Sequence, residues 1–146
     1  GPARAMFLMW SIEITMKRLK QASPRAIFIS DGYWLKHAAA EIVYGAGLEW
    51  VENLVDVFPK ADLTFYFDIS VSEAVKRKNN DFTPYECGRD KNLSPASFIR
   101  HQEKVKRILD KWQSERGWHR VDALGMESDI QQQIRIVLLD MLEVSA

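Results

Sequence analysis

Hydrophobic positions along this chain fall into two rhythms, short unbroken apolar runs and longer stretches with a helical period. Between residues 3 and 20, Met6, Phe7, Met9, Trp10, Ile14 and Met16 lie on broad, overlapping stripes, which predicts a helix buried on most sides. Its basic end, Lys17, Arg18 and Lys20, complements a helix carboxyl terminus ahead of Ser23 and Pro24. The apolar run Ala26 to Ile29 follows, closed by the turn-like pair Asp31-Gly32. Its length and flanks predict a strand buried on both faces, with Asp31 at the carboxyl end. Leu35 to Tyr44 and Leu48 to Val57 are helical in period, separated by Gly45-Ala46-Gly47. That Gly-x-Gly lacks the third glycine and the preceding strand of a dinucleotide loop, so it reads as a helix break.

The second half repeats the alternation. Leu63 to Phe67, aromatic and β-favouring, predicts a second buried strand that ends in Asp68. Ser70 and Glu73 have capping-box spacing, which starts a helix running to about Asn79. Asn80 to Asn92 has turn formers and charges without an apolar period, which is a loop. Ser94 and Pro95 open a helix with Phe98, Val105, Ile108, Leu109 and Trp112 on one face, and Gly117 ends it. Trp118 to Ala123 predicts a third strand and turn. Ser128 and Gln131 then suggest a capping box for a final helix that turns Ile130, Ile134, Val137, Leu138, Met141 and Leu142 inward. Strands alternating with helices predict an α/β fold, a parallel sheet flanked by helices, as one domain over residues 1–146.

Composition narrows the picture. The 146 residues are 47% hydrophobic, enough for a core, and Lys+Arg and Asp+Glu are each 20, so no global charge favours nucleic acid or an anionic membrane. The single Cys87 excludes an internal disulfide framework and suits a reducing cytoplasm. No apolar stretch approaches the roughly 20 residues that span a bilayer. In parallel α/β sheets ligands bind outside the carboxyl ends of strands, so Asp31 reads either as a contact to a phosphate or its metal, or simply as the start of the next helix. Phe7 and Trp10 read as core or as ligand platforms. Lys76-Arg77-Lys78 reads as a solvated basic face or as an anion contact.

Taken as an ordered set, Asp31-Gly-Tyr-Trp34, Ala61-Asp-Leu-Thr-Phe-Tyr-Phe-Asp68, Ala74-Val-Lys-Arg77, Pro84-Tyr-Glu86 and Val121-Asp-Ala123 resemble the thymidylate kinases among the P-loop nucleoside monophosphate kinases. The resemblance implies transfer of the ATP γ-phosphoryl group to a nucleoside monophosphate, dTMP or a related nucleotide. Such transfer relies on positioning and charge neutralisation by Mg2+, cationic side chains and a closing lid, here about residues 80–94. It implies that Asp31 lies near the metal and acceptor phosphate. Arg77 and the lid residue Arg89 would contact the ATP side, and Asp122-Ala123 would border the adenine. Phe7 would stack on the acceptor base, while Tyr33 and Trp34 shape its pocket. Homodimers are common in the family, and the broadly apolar first helix fits such an interface as well as it fits burial in a monomer.

Several positions depart from the family pattern. Gly32 stands where an arginine holds the acceptor phosphate, and glycine cannot replace a guanidinium fork. Ser11 stands where a base-reading arginine is expected, Ala40-Glu41 replaces a Tyr-Gln pair at the acceptor site, and Pro84 replaces a lid arginine. No Gly-x-x-x-x-Gly-Lys-[Ser/Thr] occurs in the 146 residues. The expectation is therefore the carboxyl-terminal part of a larger nucleotide kinase fold, without its first strand and phosphate-binding loop. Gly1-Pro2 fits a cleavage scar or natural sequence equally. Loss of the first strand would leave a slot in the sheet whose unpaired backbone groups cost roughly 1 to 3 kcal/mol each when buried. A non-catalytic protein that binds a nucleotide or a partner is the second functional class left open.

Overall fold

The computed structural model describes residues 2–22 and 27–144, apart from the side chains of Lys20, Ala22 and Val144. It is a mixed helical structure with a small parallel sheet of two strands. The chain groups into two compact units, Gly1–Lys60 with Lys104–Leu109, and Ala61–Glu103 with Asp110–Ala146.

The first unit contains α1 (Pro2–Ala22), α2 (Leu35–Val43) and α3 (Leu48–Val55). Consecutive helices pack on one another, α1 on α2 and α2 on α3. Ala5 and Met9, one turn apart, are buried, whereas Met6, Phe7 and Trp10 are exposed by 52%, 66% and 68%. This corrects the expectation of a helix buried on most sides: α1 buries only a narrow stripe, spaced i and i+4. On α2 the small residues Ala38, Ala39 and Ala40 are buried, which suits close helix approach. Gly45, at φ +94°, lets the chain leave α2 in a left-handed conformation that costs glycine little. The buried Val51 and Val55 repeat the four-residue spacing on α3, which ends at Val55.

The predicted strand at Ala26–Ile29 is not formed over its described part. Ala26 lies outside the described residues, as do Ser23, Pro24 and Arg25, while 27–30 have no regular secondary structure. Ile27 and Ile29 are 83% and 94% exposed. The reason is pairing: an apolar run becomes a strand when a neighbour accepts its backbone hydrogen bonds, and among the described residues the only ladder joins two other segments.

Those segments are β1 (Phe65–Asp68) and β2 (His119–Asp122), parallel and in register from Phe65 opposite His119 to Asp68 opposite Asp122. Their crossover carries α4 (Val71–Lys78) and α5 (Pro95–Arg116), and α6 (Glu127–Val144) follows β2. Buried Val121 anchors β2, but β1 is only half-buried, with Phe67 50% exposed, so the expectation of a second buried strand is corrected. A two-stranded sheet has too few neighbours to cover both faces.

Helix boundaries follow the capping residues. The Ser94 hydroxyl accepts from the Ser97 N–H while the Ser97 hydroxyl accepts from the Ser94 N–H, and Pro95 takes the first helical position. Gly117, at φ +66°, ends α5 in the left-handed region. Ser70 accepts from the Glu73 N–H at the start of α4. The predicted capping box of α6 is overturned: the helix begins at Glu127, so Ser128 lies inside its first turn, and Gln131 donates instead to the Glu127 carboxylate. Nor are its apolar residues all turned inward, since Leu138 and Leu142 are 38% and 51% exposed. A satellite core of Phe82, Cys87 and Phe98, with Val71, Ala74, Val75 and Leu93 against it, holds the segment after α4. The Phe82 and Phe98 rings lie 4.9 Å apart.

Candidate functional site

The carboxyl ends of β1 and β2 lie side by side because Asp68 and Asp122 are register partners. Asp68 accepts from the Arg120 guanidinium, with Nε 3.0 Å away. That bond, with the charge of Asp68, pushes the arginine further above its ordinary value and keeps it cationic. The Ala123 N–H continues the ladder by donating to the Asp68 carbonyl over 3.1 Å. Beyond it, Asp122 Oδ1 accepts from the Leu124 N–H at 2.9 Å, an Asx turn that redirects the chain toward α6.

Arg77 reaches this turn from the last turn of α4, donating from Nη2 to the Ala123 carbonyl over 2.9 Å. Its Nε lies 3.6 Å from Glu73 Oε1, one turn earlier on α4. Glu73 also accepts from Lys76, and the hydrogen bond and charge of that lysine, with Arg77 beside it, hold its carboxyl below the usual carboxylate range. Thus Arg77 and Ala123 are brought into direct contact, and Asp122 shapes the turn that joins them. Glu73, Arg120 and Gln133 complete the cluster and are not apparent from the sequence. Gln133 accepts from the Asp122 N–H at 3.0 Å and donates to its carbonyl at 3.2 Å, a reach across α6 that has no local sequence signature.

The segment 80–94 is fastened through Glu86. Lys78 Nζ lies 2.7 Å from its Oε1, the Thr83 N–H and hydroxyl donate to its Oε2, and Gln102 donates to its carbonyl. Burial acts to raise the Glu86 pKa, but the bonds from Lys78 and Thr83 outweigh it and leave the carboxyl below its ordinary value. Left-handed Asn79, Asn80 and Leu93, at φ 46°, 64° and 44°, bracket the segment. Arg89 is exposed, at φ 65°, and its N–H donates to the Pro84 carbonyl within the same segment.

The remaining predicted residues belong to the first unit. Asp31 is exposed, ahead of Gly32 at φ +72° and Tyr33 at φ 33°. Trp34 is buried and stacks on Phe58 with ring centroids 6.4 Å apart, and Tyr33 meets Phe58 edge-on and donates to the Pro59 carbonyl. Burial, then the Glu13 carboxylate, push the Tyr33 phenol above its ordinary value. Glu41 is fully buried and accepts from Arg4 Nε at 2.6 Å, so its carboxylate serves a salt link between α1 and α2. Arg4 also lies over the Tyr44 ring, 4.8 Å from its centroid. Phe7 is mostly exposed, and its carbonyl accepts from the Ser11 hydroxyl at 2.8 Å, which turns Ser11 back onto its own helix.

Among the described residues no group of three or more His, Cys, Asp or Glu side chains could hold a metal ion. A Mg2+ ion held by one carboxylate, phosphate oxygens and water needs no such group, and Asp31 is an exposed carboxylate. No described helix is long and apolar enough to cross a membrane.

The chain matches no family model. It is similar to a protein of Sulfurisphaera tokodaii described as "Probable thymidylate kinase", 38% identical over 55 residues that cover 38% of this chain and 29% of that protein. It is also similar to one of Staphylothermus marinus with the same description, 38% identical over 63 residues that cover 41% of this chain and 32% of that protein. The matched stretches thus span about a third of the length of these relatives and support a thymidylate kinase-like relationship.

Proposed function

We propose that this chain carries the base side and the lid of a thymidylate kinase-like nucleotide kinase, which transfers the γ-phosphoryl group of ATP to a nucleoside monophosphate such as dTMP. The observation that carries the reading is the Arg77 guanidinium hydrogen-bonded to Ala123 at the carboxyl edge of β1 and β2. A cation fixed beside a turn at the strand ends suits an adenine nucleotide, whose base packs on the guanidinium plane and whose phosphates extend toward cations of the lid. Arg89 supplies one such cation. Asp31 is the residue to hold Mg2+, which neutralises charge that spreads over the transferred group. Phe7, Ser11, Gly32, Tyr33, Trp34 and Glu41 form the acceptor side in this reading, with Glu41 acting through its buried pair. The exposed Met6 and Trp10 also fit a homodimer surface.

A second reading, a nucleotide-binding protein without turnover, is favoured by Gly32 in place of an arginine for the acceptor phosphate. Calorimetric binding of ATP and dTMP, beside an assay of ADP formation with both and Mg2+, separates the two when it is made on the chain joined to an upstream phosphate-binding loop. Acceptor-dependent ADP formation that falls at least about tenfold in Arg77→Ala supports the kinase. Binding of both nucleotides without ADP supports the binder. Loop-restored protein that ignores ATP overturns both.

A further inference from the structure

At Asp122 the open edge of β2 is capped by the side chain of Gln133. Successive residues of a strand turn their backbone groups to opposite edges. With the N–H groups of His119 and Ala123 donating toward β1, both backbone groups of Asp122 face the edge that β1 does not cover. A primary amide carries an acceptor and donors in the arrangement of a peptide group. Gln133 uses both on Asp122 and so stands in for a neighbouring strand at one residue.

The consequence reaches Arg77. Asp122 is held on both backbone groups by Gln133, Ala123 N–H by Asp68, and Leu124 N–H by the Asp122 carboxylate. The Ala123 carbonyl therefore has a fixed direction, and it is the group on which the Arg77 guanidinium hangs. We propose that Gln133 is a positioning residue for nucleotide recognition, acting through the Asp122 backbone and the Ala123 carbonyl to orient Arg77. This rests on the reading of Arg77 and the Asp122-Ala123 turn as the adenine nucleotide side.

Two variants test it in the whole chain. Gln133→Glu keeps the acceptor for the Asp122 N–H but sets a carboxylate oxygen against the Asp122 carbonyl, and Gln133→Ala removes both bonds. The measurements are ATP affinity by calorimetry and the position of the Arg77 Nε–H resonance in the free protein, with the exposed neighbour Gln132→Ala as control. The expected result is a loss of ATP affinity of about threefold to tenfold in both variants, with a displaced Arg77 resonance and no change in Gln132→Ala. A purely structural role for Gln133 would lower thermal stability without moving that resonance, which overturns the proposal. If Gln133→Ala does not fold, Gln133→Glu decides. Unchanged ATP affinity in the folded Gln133 variants, with weakened binding in Arg77→Ala, overturns the proposal and leaves the nucleotide reading standing. Undiminished ATP binding in Arg77→Ala overturns both.

Discussion

Two apolar runs followed by an acid, Ile27 to Ile29 before Asp31 and Phe65 to Phe67 before Asp68, share a local pattern and differ in outcome. The second pairs in register with His119–Asp122, and its terminal carboxylate is tied to Arg120. The first has no regular secondary structure, and Ile27 and Ile29 face solvent. Side-chain pattern is alike in the two; a partner for the backbone is what differs. The polar groups of β1 and the β2 turn are matched by ladder, Asx turn, Arg77 and Gln133, and a candidate site stands at their ends.

The largest expected effect breaks this contrast at its buried point. Val121→Asp places an unpaired charge in a position only 2% exposed and should cost about 4 kcal/mol or more, with loss of the unit on urea titration followed by circular dichroism. Ile29→Asp, 94% exposed, should stay within about 0.5 kcal/mol. Equal losses in the two would show that 27–29 is held as firmly as the ladder, and would end the comparison.

Among the described residues the first unit has no strand, and a partly buried ion pair joins its first two helices. Arg4→Met leaves the Glu41 carboxylate buried and should cost about 2 kcal/mol, below a fully buried pair because Arg4 is partly solvated. Glu41→Gln keeps a hydrogen-bond acceptor and should cost less. Denaturant midpoints check the order, and a reversed order would point to Arg4 acting through Tyr44 instead.

Loss of the cap on α5 comes third. Ser94→Ala should lower stability by about 1 kcal/mol and loosen hydrogen-exchange protection in the first turn of the helix.

The smallest effect is set by pH. Burial first, then Lys36, with Arg4 also contributing against Glu41, holds His37 below its ordinary value, so the folded state prefers the neutral ring. Its contribution is present above the unfolded value, near 6.5, and is lost as pH falls through the folded one. Glu86 is depressed in the same sense for an acid, so its contribution is present above about 4.3 and is lost at lower pH. Stability measured from pH 8 down to 2 should therefore decline in two steps, first in the unit of His37. His37→Gln should remove the first step alone.

Boundaries written in neighbouring residues were legible in the sequence. Ser94, Pro95 and Gly117 mark α5 because capping and left-handed exit are local chemistry. The same reasoning misplaced the start of α6, where Ser128 and Gln131 have the right spacing but the helix already begins at Glu127. Buried faces on α1 and α6 were overcalled, since an apolar stripe says what a helix can cover and not what lies against it. In the candidate site, Arg77 and Asp122-Ala123 were each singled out by resemblance to a family, for contacts to a nucleotide, and the hydrogen bond between them was not foreseen. Nor were the bonds of Gln133 to Asp122, because they join residues eleven apart through tertiary geometry.

The bare run at Ile27-Phe28-Ile29 also bears on how this protein behaves in concentrated solution. Exposed, uncharged and β-favouring, these side chains are of the kind on which copies of the chain can stack into cross-β aggregates. The charge of nearby exposed Asp31 opposes such growth, so Asp31→Ala should shorten the shelf life of the purified protein as well as weaken Mg2+ binding.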